Sequence, residues 1–381
     1  MIQIDSKLPD VGVTIFSVMT QLANEHGSIN LSQGFPDFDT VPDLIKRVAY
    51  HMHAGRNQYA PMQGIFELRQ KIATKIKRIY GAAYDPETEI TVTAGATEAI
   101  FAAITAVVQP GDEVLMFEPA YDAYVPIIRL NHGVPVYVEL TPPDYGIDWD
   151  RVAAHITAKT RLIILNSPHN PTGLILNQAD MQALEALLAD TNILILSDEV
   201  YEHIIFDGHS HESVSRYPSL AARSFVVSSF GKTYHATGWK IGYCLAPEAL
   251  SREIQRIHQF LTFAVNTPVQ LAYADILDQV DLFEDLSGFY QKKRDAFLSF
   301  MQASRFKPIP CSGTYFQLMQ YDEISDLPDV AFARWLTTTH AVACIPISVF
   351  HHAQTDHHVV RFCFAKKNLT LEKAAEKLCK I

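Results

Sequence analysis

The sequence predicts an α/β protein: a large domain with a mostly parallel central sheet flanked by helices, and a smaller α+β domain. Three observations carry this. Short apolar runs, each closed by a polar or glycine turn, alternate with helical patterns through the middle of the chain. Those runs are apolar on both faces, as strands buried under crossover helices must be. After Gln279 the pattern changes to a helix-like stretch, the turn-rich CSGTYF, and further short apolar pieces.

Taken in order, the strand runs are Glu89 to Thr93, Glu113 to Phe117, Arg161 to Asn166, Asn192 to Ser197 and Ser224 to Ser228. Between them Ile65, Leu68, Ile72 and Ile76 recur at helical spacing, as do Ala99, Ile100, Ala103, Ile104 and Val107. The final third carries apolar pieces around Ala341 to Ile347 and Val359 to Phe364. A basic tail follows, Lys366-Lys367 and Lys373 to Lys380, read as a solvated helix face. With 381 residues, 48% of them apolar, the chain exceeds one compact core and divides into about two domains. The boundaries read from element order are 41–279 for the large domain, and 1–40 with 280–381 for the small one.

A net charge of −11 argues against sequence-independent binding to nucleic acid or to an anionic membrane, because such binding is driven by neutralising phosphates. The N-terminus MIQIDSKLPDVG lacks a signal-peptide pattern, and no apolar run approaches the roughly 20 residues that span a bilayer. The expectation is a cytoplasmic protein. Its five scattered cysteines read as reduced thiols. The histidines around 351–358 and 203–211 show no ligand spacing, so no metal is expected and they read as loop residues.

An anionic ligand must therefore find local cations, and SSFGKTYHATGWK (228–240) supplies two lysines without an acid. The Walker A reading fails because Val226 stands where the first glycine belongs. What remains is Lys232 just past a buried strand, and in open α/β sheets ligands gather beyond the carboxyl ends of strands. Other strand ends bring an acid, Asp198 or Glu199, and an amide-rich turn, Asn166 to Gly173. Successive strand residues face opposite sides, so the two acids cannot both serve one site. A salt bridge or helix cap remains open for either. Thr93 to Ala99 runs through Gly95 into a helix, whose free N–H groups suit a phosphate, although Thr97 as a simple N-cap also fits.

These segments, with NLSQGFPDF, NQYAPMQG, EPAYDAY, GTYF and VRFCFAKK, resemble the class I and II aminotransferases of fold type I, which use pyridoxal 5′-phosphate. The likeness runs from about Leu8 to the C-terminus and looks closest to the methionine, glutamine and kynurenine aminotransferase branch. It implies that Lys232 forms a Schiff base with the coenzyme aldehyde and also serves as the general base, with Gly231 leaving room beside it. It further implies that Lys240, Ser229, Ala96 and Thr97 hold the phosphate, helped by Tyr59 from a neighbouring subunit. Many relatives have arginine where Lys240 stands; the lysine gives a point charge in place of the arginine fork. Asp198 pairs with the ring nitrogen, Tyr201 and Asn170 with the ring oxygen, and Tyr121 stacks on the ring. Arg361 clamps the substrate carboxylate with Gly34 and Asn170, its alternative being a structural ion pair. Phe16 matches an aromatic pocket residue of the kynurenine-type enzymes.

The implied activity is ping-pong transfer of an amino group from methionine, an aromatic or a related amino acid to a 2-oxo acid, by a homodimer with shared sites. Two alternatives stand beside it: a cysteine-conjugate β-lyase on the same coenzyme, and a non-enzymatic coenzyme-binding regulator.

Overall fold

The computed structural model describes residues 4–279 and 285–381. The domain boundary read at 279/280 abuts residues 280–284, which lie outside the described residues. In chain order the strands are β1 (Ile29–Asn30), β2 (Ile90–Thr93), β3 (Glu113–Glu118), β4 (Val134–Glu139), β5 (Thr160–Asn166), β6 (Leu194–Asp198), β7 (Ser224–Ser229), β8 (Gly242–Leu245), β9 (Lys307–Pro308), β10 (Phe316–Gln320), β11 (Val342–Ala343), β12 (Ile345–Pro346) and β13 (Val359–Cys363).

Strands β2 to β8 form one sheet in the order β2-β8-β7-β6-β5-β3-β4. The pairings from β7 through β6, β5 and β3 to β4 are parallel, while β8 runs against both of its neighbours. Leu162, Ile164, Leu196, Phe225 and Val227 pack on one face with Ile100 and Ile104 of the helix Ala96–Val107. Ile163, Leu165, Ile195 and Val226 enter the larger core on the other. Each such side chain contributes about 1.5–3 kcal/mol when fully buried, so both faces hold the sheet in place. β2, β3, β5, β6 and β7 point the same way, which brings Thr93, Glu118, Asn166, Asp198 and Ser229 to a common edge.

Two strands of this sheet escape the sequence reading. β4 starts at exposed Val134 and carries a proline, and β8 has four residues directly after a turn. The helix predicted from Ile65 to Ile76 is Phe66–Tyr80, with Leu68, Ile72 and Ile76 buried and Ile65 capping it.

In the last third β12, β13, β10 and β9 form an antiparallel sheet, and β1 pairs in parallel with β11. The N-terminal segment is thereby joined to the C-terminal third. Arg361 lies in β13, opposite Leu318 and Ile345. The helix Asn368–Leu378 buries Leu371, Ala374, Ala375 and Leu378 and exposes Lys373 and Lys377, as the basic tail predicts. Lys366 corrects that reading: it is 3% exposed and donates to the Phe35 carbonyl at 2.7 Å. A cation before the helix, not on its outer face, had become the partner of a backbone carbonyl. All five cysteines are free thiols, and no described helix is long and apolar enough to cross a membrane.

Candidate active site

A cavity of about 250 Å³ opens at the common strand edge. Asp198 at the end of β6 is 4% exposed and lines it. Its Oδ2 accepts from the Tyr124 hydroxyl at 2.6 Å and its Oδ1 from the Val200 amide at 3.3 Å. Burial pushes this carboxyl up to about 6, against the pull of the Tyr124 hydrogen bond. Glu199 turns the other way: it accepts from Ser197, from the Val214 amide and shares a hydrogen bond with His211.

Lys232 follows β7 in the short helix Phe230–Thr233. Its Nζ donates to the Tyr315 hydroxyl at 3.0 Å and lies 5.6 Å from the centres of the Tyr201 and Tyr315 rings. Burial pushes the amine down to about 8, so a substantial fraction is neutral near physiological pH. Gly231 lines the cavity beside Lys232. A Cβ there would meet the Thr237 Cα at 3.0 Å and the Ala236 carbonyl at 3.3 Å. The returning backbone of the 230–239 turn therefore favours glycine at this point of the cavity lining.

Gly95, with φ of +79°, caps the helix Ala96–Val107, so Thr97 lies inside the first turn and is not the N-cap. Gly242 presses close: a Cβ on it would fall 2.9 Å from the Ala96 nitrogen. Lys240 adopts a left-handed conformation, φ +54° and ψ 54°, and its Nζ lies 3.1 Å from where a Gly95 Cβ would be. Ser229 ends β7 on the same rim. The unpaired N–H groups of a helix start, a hydroxyl and an ammonium converge there.

Arg361 is 1% exposed. It donates to the Asn170 Oδ1 at 2.7 Å and the Ser32 carbonyl at 3.2 Å, and its Nε has no partner. Its charged centre stands 3.8 Å from the Phe316 ring centre and 5.3 Å from that of Phe16. Both direct partners are neutral oxygens, so the ion-pair reading of this arginine finds no support in its contacts. Gly34 lies beside it, where a Cβ would strike the Phe316 ring at 2.6 Å. Tyr121, Asn170 and Tyr201 complete the lining.

Tyr59 is the one sequence-predicted residue that stands apart: it is 84% exposed, its ring edge-on to Phe263. Sequence reasoning missed Tyr124 and Tyr315, which touch the acid and the lysine directly. Each stands inside a motif quoted above, EPAYDAY or GTYF, yet nothing in the spacing points a tyrosine hydroxyl at a particular partner. The histidines at 203, 209, 211, 351, 352, 357 and 358 all lie outside helices and strands, as the loop reading has it, yet several are held in place. His211 and His351 are buried, and His352 pairs with buried Glu118 at 2.7 Å. Among the described residues no three His, Cys, Asp or Glu side chains gather to hold a metal ion.

The donor set fits pyridoxal phosphate. An amine held partly neutral can condense with an aldehyde, a buried carboxylate lacking a cationic partner suits a protonated ring nitrogen, and the helix start with Lys240 suits a phosphate dianion. All three line one cavity.

The comparisons agree. A methionine aminotransferase of Escherichia coli K12 is 52% identical over 374 residues, covering 98% of this chain and 97% of the relative. The crystal structure of YbdL from Escherichia coli, for which a methionine aminotransferase function was identified, is 50% identical and superposes with a TM-score of 0.98 over 100% of both chains. The N-succinyldiaminopimelate aminotransferase of Mycobacterium tuberculosis is 35% identical with a TM-score of 0.95, covering 99% of this chain and 100% of that one. The family model described as aminotransferase class I and II matches residues 27–378. An amine, an acid and an anion cup at one sheet edge, on a chain matched over almost its whole length, make this protein a member of the class I and II aminotransferases of fold type I, with pyridoxal 5′-phosphate as coenzyme.

Proposed function

We propose that this aminotransferase takes the amino group of methionine or an aromatic amino acid and delivers it to a 2-oxo acid. The observation that carries the substrate class is the setting of Arg361: a buried guanidinium with a free Nε, between the rings of Phe16 and Phe316. Such a clamp takes one carboxylate and leaves the side chain against aromatic surface, which suits a thioether or a ring. Among the described residues lining the cavity the cations are Lys232, Lys240 and Arg361. No further cation is there for a dicarboxylic side chain.

The bound coenzyme supplies an aldehyde that takes up amino groups and a ring that draws electrons from the α-carbon. In this reading Lys240, Ser229 and the N–H groups of Ala96 and Thr97 hold its phosphate. Asp198 keeps the ring nitrogen protonated, Tyr201 and Asn170 bond the ring oxygen, and Tyr121 covers one face. Lys232 anchors the coenzyme and, once displaced, carries the proton from the substrate α-carbon. Asn170 and Gly34 complete the carboxylate clamp of Arg361.

The wider reading places the large domain at 41–279 and the small domain in 1–40 with 280–381, in a cytoplasmic homodimer. The exposed apolar surface of Tyr59, Phe260, Leu261 and Phe263 supports the dimer, since Phe260 alone is 87% exposed. Sedimentation equilibrium tests it. The substrate class is tested by a panel of amino donors, including methionine, phenylalanine, kynurenine, glutamine and aspartate, against several 2-oxo acids. Methionine and the aromatic donors are expected to exceed aspartate at least tenfold in kcat/KM, about the discrimination an apolar pocket provides. Preference for aspartate would overturn the reading, and pyruvate with a thiol from a cysteine conjugate would mark the lyase.

A further inference from the structure

Tyr315 precedes β10 and is fully buried, its ring edge-on to Tyr201 and Phe316 at 5.2 and 4.9 Å and tilted against Tyr290 at 5.7 Å. Packing on three sides fixes where its hydroxyl stands. That hydroxyl lies 2.6 Å from the Gly34 carbonyl and 3.0 Å from the Lys232 Nζ.

The polarity of this bridge follows from the groups themselves. A carbonyl only accepts and a tyrosine hydroxyl has one proton, so the proton goes to Gly34. The oxygen is then left to accept from the amine. Gly34 sits on the segment that also supplies the Ser32 carbonyl to Arg361. One hydroxyl therefore joins the lysine to the strap beside the carboxylate clamp.

Resting on the assignment of Lys232 as the coenzyme-bearing amine, we infer that Tyr315 is a positioning residue that holds the free Lys232 amine within reach of the substrate α-carbon and couples it to the Gly34 strap. The amine is free whenever a substrate occupies the coenzyme, and a flexible four-carbon stem would otherwise let it wander. Tyr315 gives it a fixed acceptor at that stage. An acceptor also favours the protonated amine, the form that returns the proton, so the hydroxyl raises the pH at which the amine changes role, against the lowering by burial. The charged and titratable groups facing that amine are Asp198, Lys240, Arg361, Cys363, Tyr201 and Tyr315 itself. Among these Tyr315 alone both bonds the amine and reaches the strap.

The test is the pH dependence of coenzyme uptake by coenzyme-free protein, read from the visible band, with steady-state kinetics beside it. Tyr315→Phe keeps the ring and removes the acceptor. It should still take up pyridoxal phosphate, with the midpoint of uptake about one pH unit lower than in wild type, the lost acceptor being a hydrogen bond to a charged donor. KM for the amino donor should rise about tenfold as the strap loosens. Tyr290→Phe is the control, because the Tyr290 hydroxyl is buried without a partner, and it should move neither quantity. An unshifted midpoint in Tyr315→Phe, or an equal shift in Tyr290→Phe, overturns the inference. Should Tyr315→Phe not fold, 4-fluorophenylalanine at position 315 keeps nearly the same outline with a very weak acceptor in place of the hydroxyl; the midpoint must then fall, and an unchanged one has the same overturning force. The prior assignment fails differently: it predicts that Lys232→Ala forms no visible band, whatever Tyr315 does.

Discussion

The Tyr124 hydroxyl donates to the Asp198 carboxylate at 2.6 Å, between two buried side chains. Asp198 has few other donors, the Val200 amide at 3.3 Å being the second, and burial already pushes its carboxyl up to about 6. Removing the hydroxyl pushes it higher and leaves less of the charged form to meet the coenzyme ring. A hydrogen bond to a charged group contributes about 1.5–3 kcal/mol, so Tyr124→Phe should weaken coenzyme affinity roughly ten- to a hundredfold. Equilibrium titration followed by visible absorbance measures this. Unchanged affinity would mean that Asp198 holds its charge without help.

Asp198→Asn should separate stability from activity. The folded carboxyl near 6 stands above its ordinary 3.8. Protons therefore bind the coenzyme-free folded state more tightly than the unfolded chain, and stability falls as pH rises between about 4 and 6. Above that window the full cost, about 3 kcal/mol, is present. The neutral asparagine removes it. The coenzyme-free variant should be up to about 3 kcal/mol more stable than wild type at pH 7, with the gap closing towards pH 4, in denaturant unfolding. Turnover should fall roughly a hundred- to a thousandfold with the loss of the buried pair. Glu199→Gln, on the opposite face, should leave turnover within a few-fold of wild type.

The amine of Lys232 gives a pH prediction of its own. Only the neutral form attacks an aldehyde, and burial holds this amine near 8, whereas an ordinary lysine loses its proton above about 10. Coenzyme uptake by the coenzyme-free protein should rise tenfold per pH unit at low pH and level off near 8. The charge of Lys240 contributes to the lowering, so Lys240→Ala should move the plateau upward even as it weakens phosphate binding. Stopped-flow absorbance across pH 6 to 10 distinguishes this from a plateau near 10.

Much of this was legible in the sequence because the signals are local. Runs apolar on both faces gave β2, β3, β5, β6 and β7, and the residues just beyond them are where an open sheet gathers ligands. Lys232, Asp198 and Asn170 were found in that way, and the family resemblance attached roles to them. The same logic could not see β8, whose four residues pair on both sides and whose Gly242 lets its backbone approach Ala96. Nor could it find the partners of the site residues. Tyr124 meets Asp198 across 74 positions and Tyr315 meets Lys232 across 83. Such pairs are set by packing of the whole sheet, and no short pattern encodes them. Lys366 was misread for a related reason: its neighbours look like a charged tail, and its partner lies in the N-terminal segment.

Arg361→Lys tests the carboxylate clamp. Lysine keeps a charge but loses the planar fork and cannot satisfy Asn170, Ser32 and a carboxylate together. KM for methionine or phenylalanine should rise about ten- to a hundredfold, with a smaller effect on kcat. Reaction with the corresponding amines, which lack the carboxylate, should not change. An equal loss for amino acids and amines would show that the arginine supports the fold and not the substrate.

Lys366 offers a test of how the strap is held from behind. Its Nζ donates to the Phe35 carbonyl at 2.7 Å and stands 4.7 Å from the centre of the Phe35 ring, one residue from Gly34. Its own carbonyl accepts from Lys293 at 2.7 Å, and Asp37 bonds the Thr370 hydroxyl at the start of the last helix. The strap and the C-terminal helix are thus tied through partly buried polar contacts. Lys366→Met preserves the stem and removes the ammonium, leaving the Phe35 carbonyl without its donor. Such a loss costs about 1–3 kcal/mol, which for a chain of this size lowers Tm by about 1–4 °C. Because the same carbonyl fixes the residue next to Gly34, KM for the amino donor should rise while affinity for the coenzyme stays unchanged. A solvated lysine would give neither effect, so thermal melting of the coenzyme-free protein and steady-state kinetics on the loaded enzyme together decide whether this cation belongs to the helix surface or to the strap.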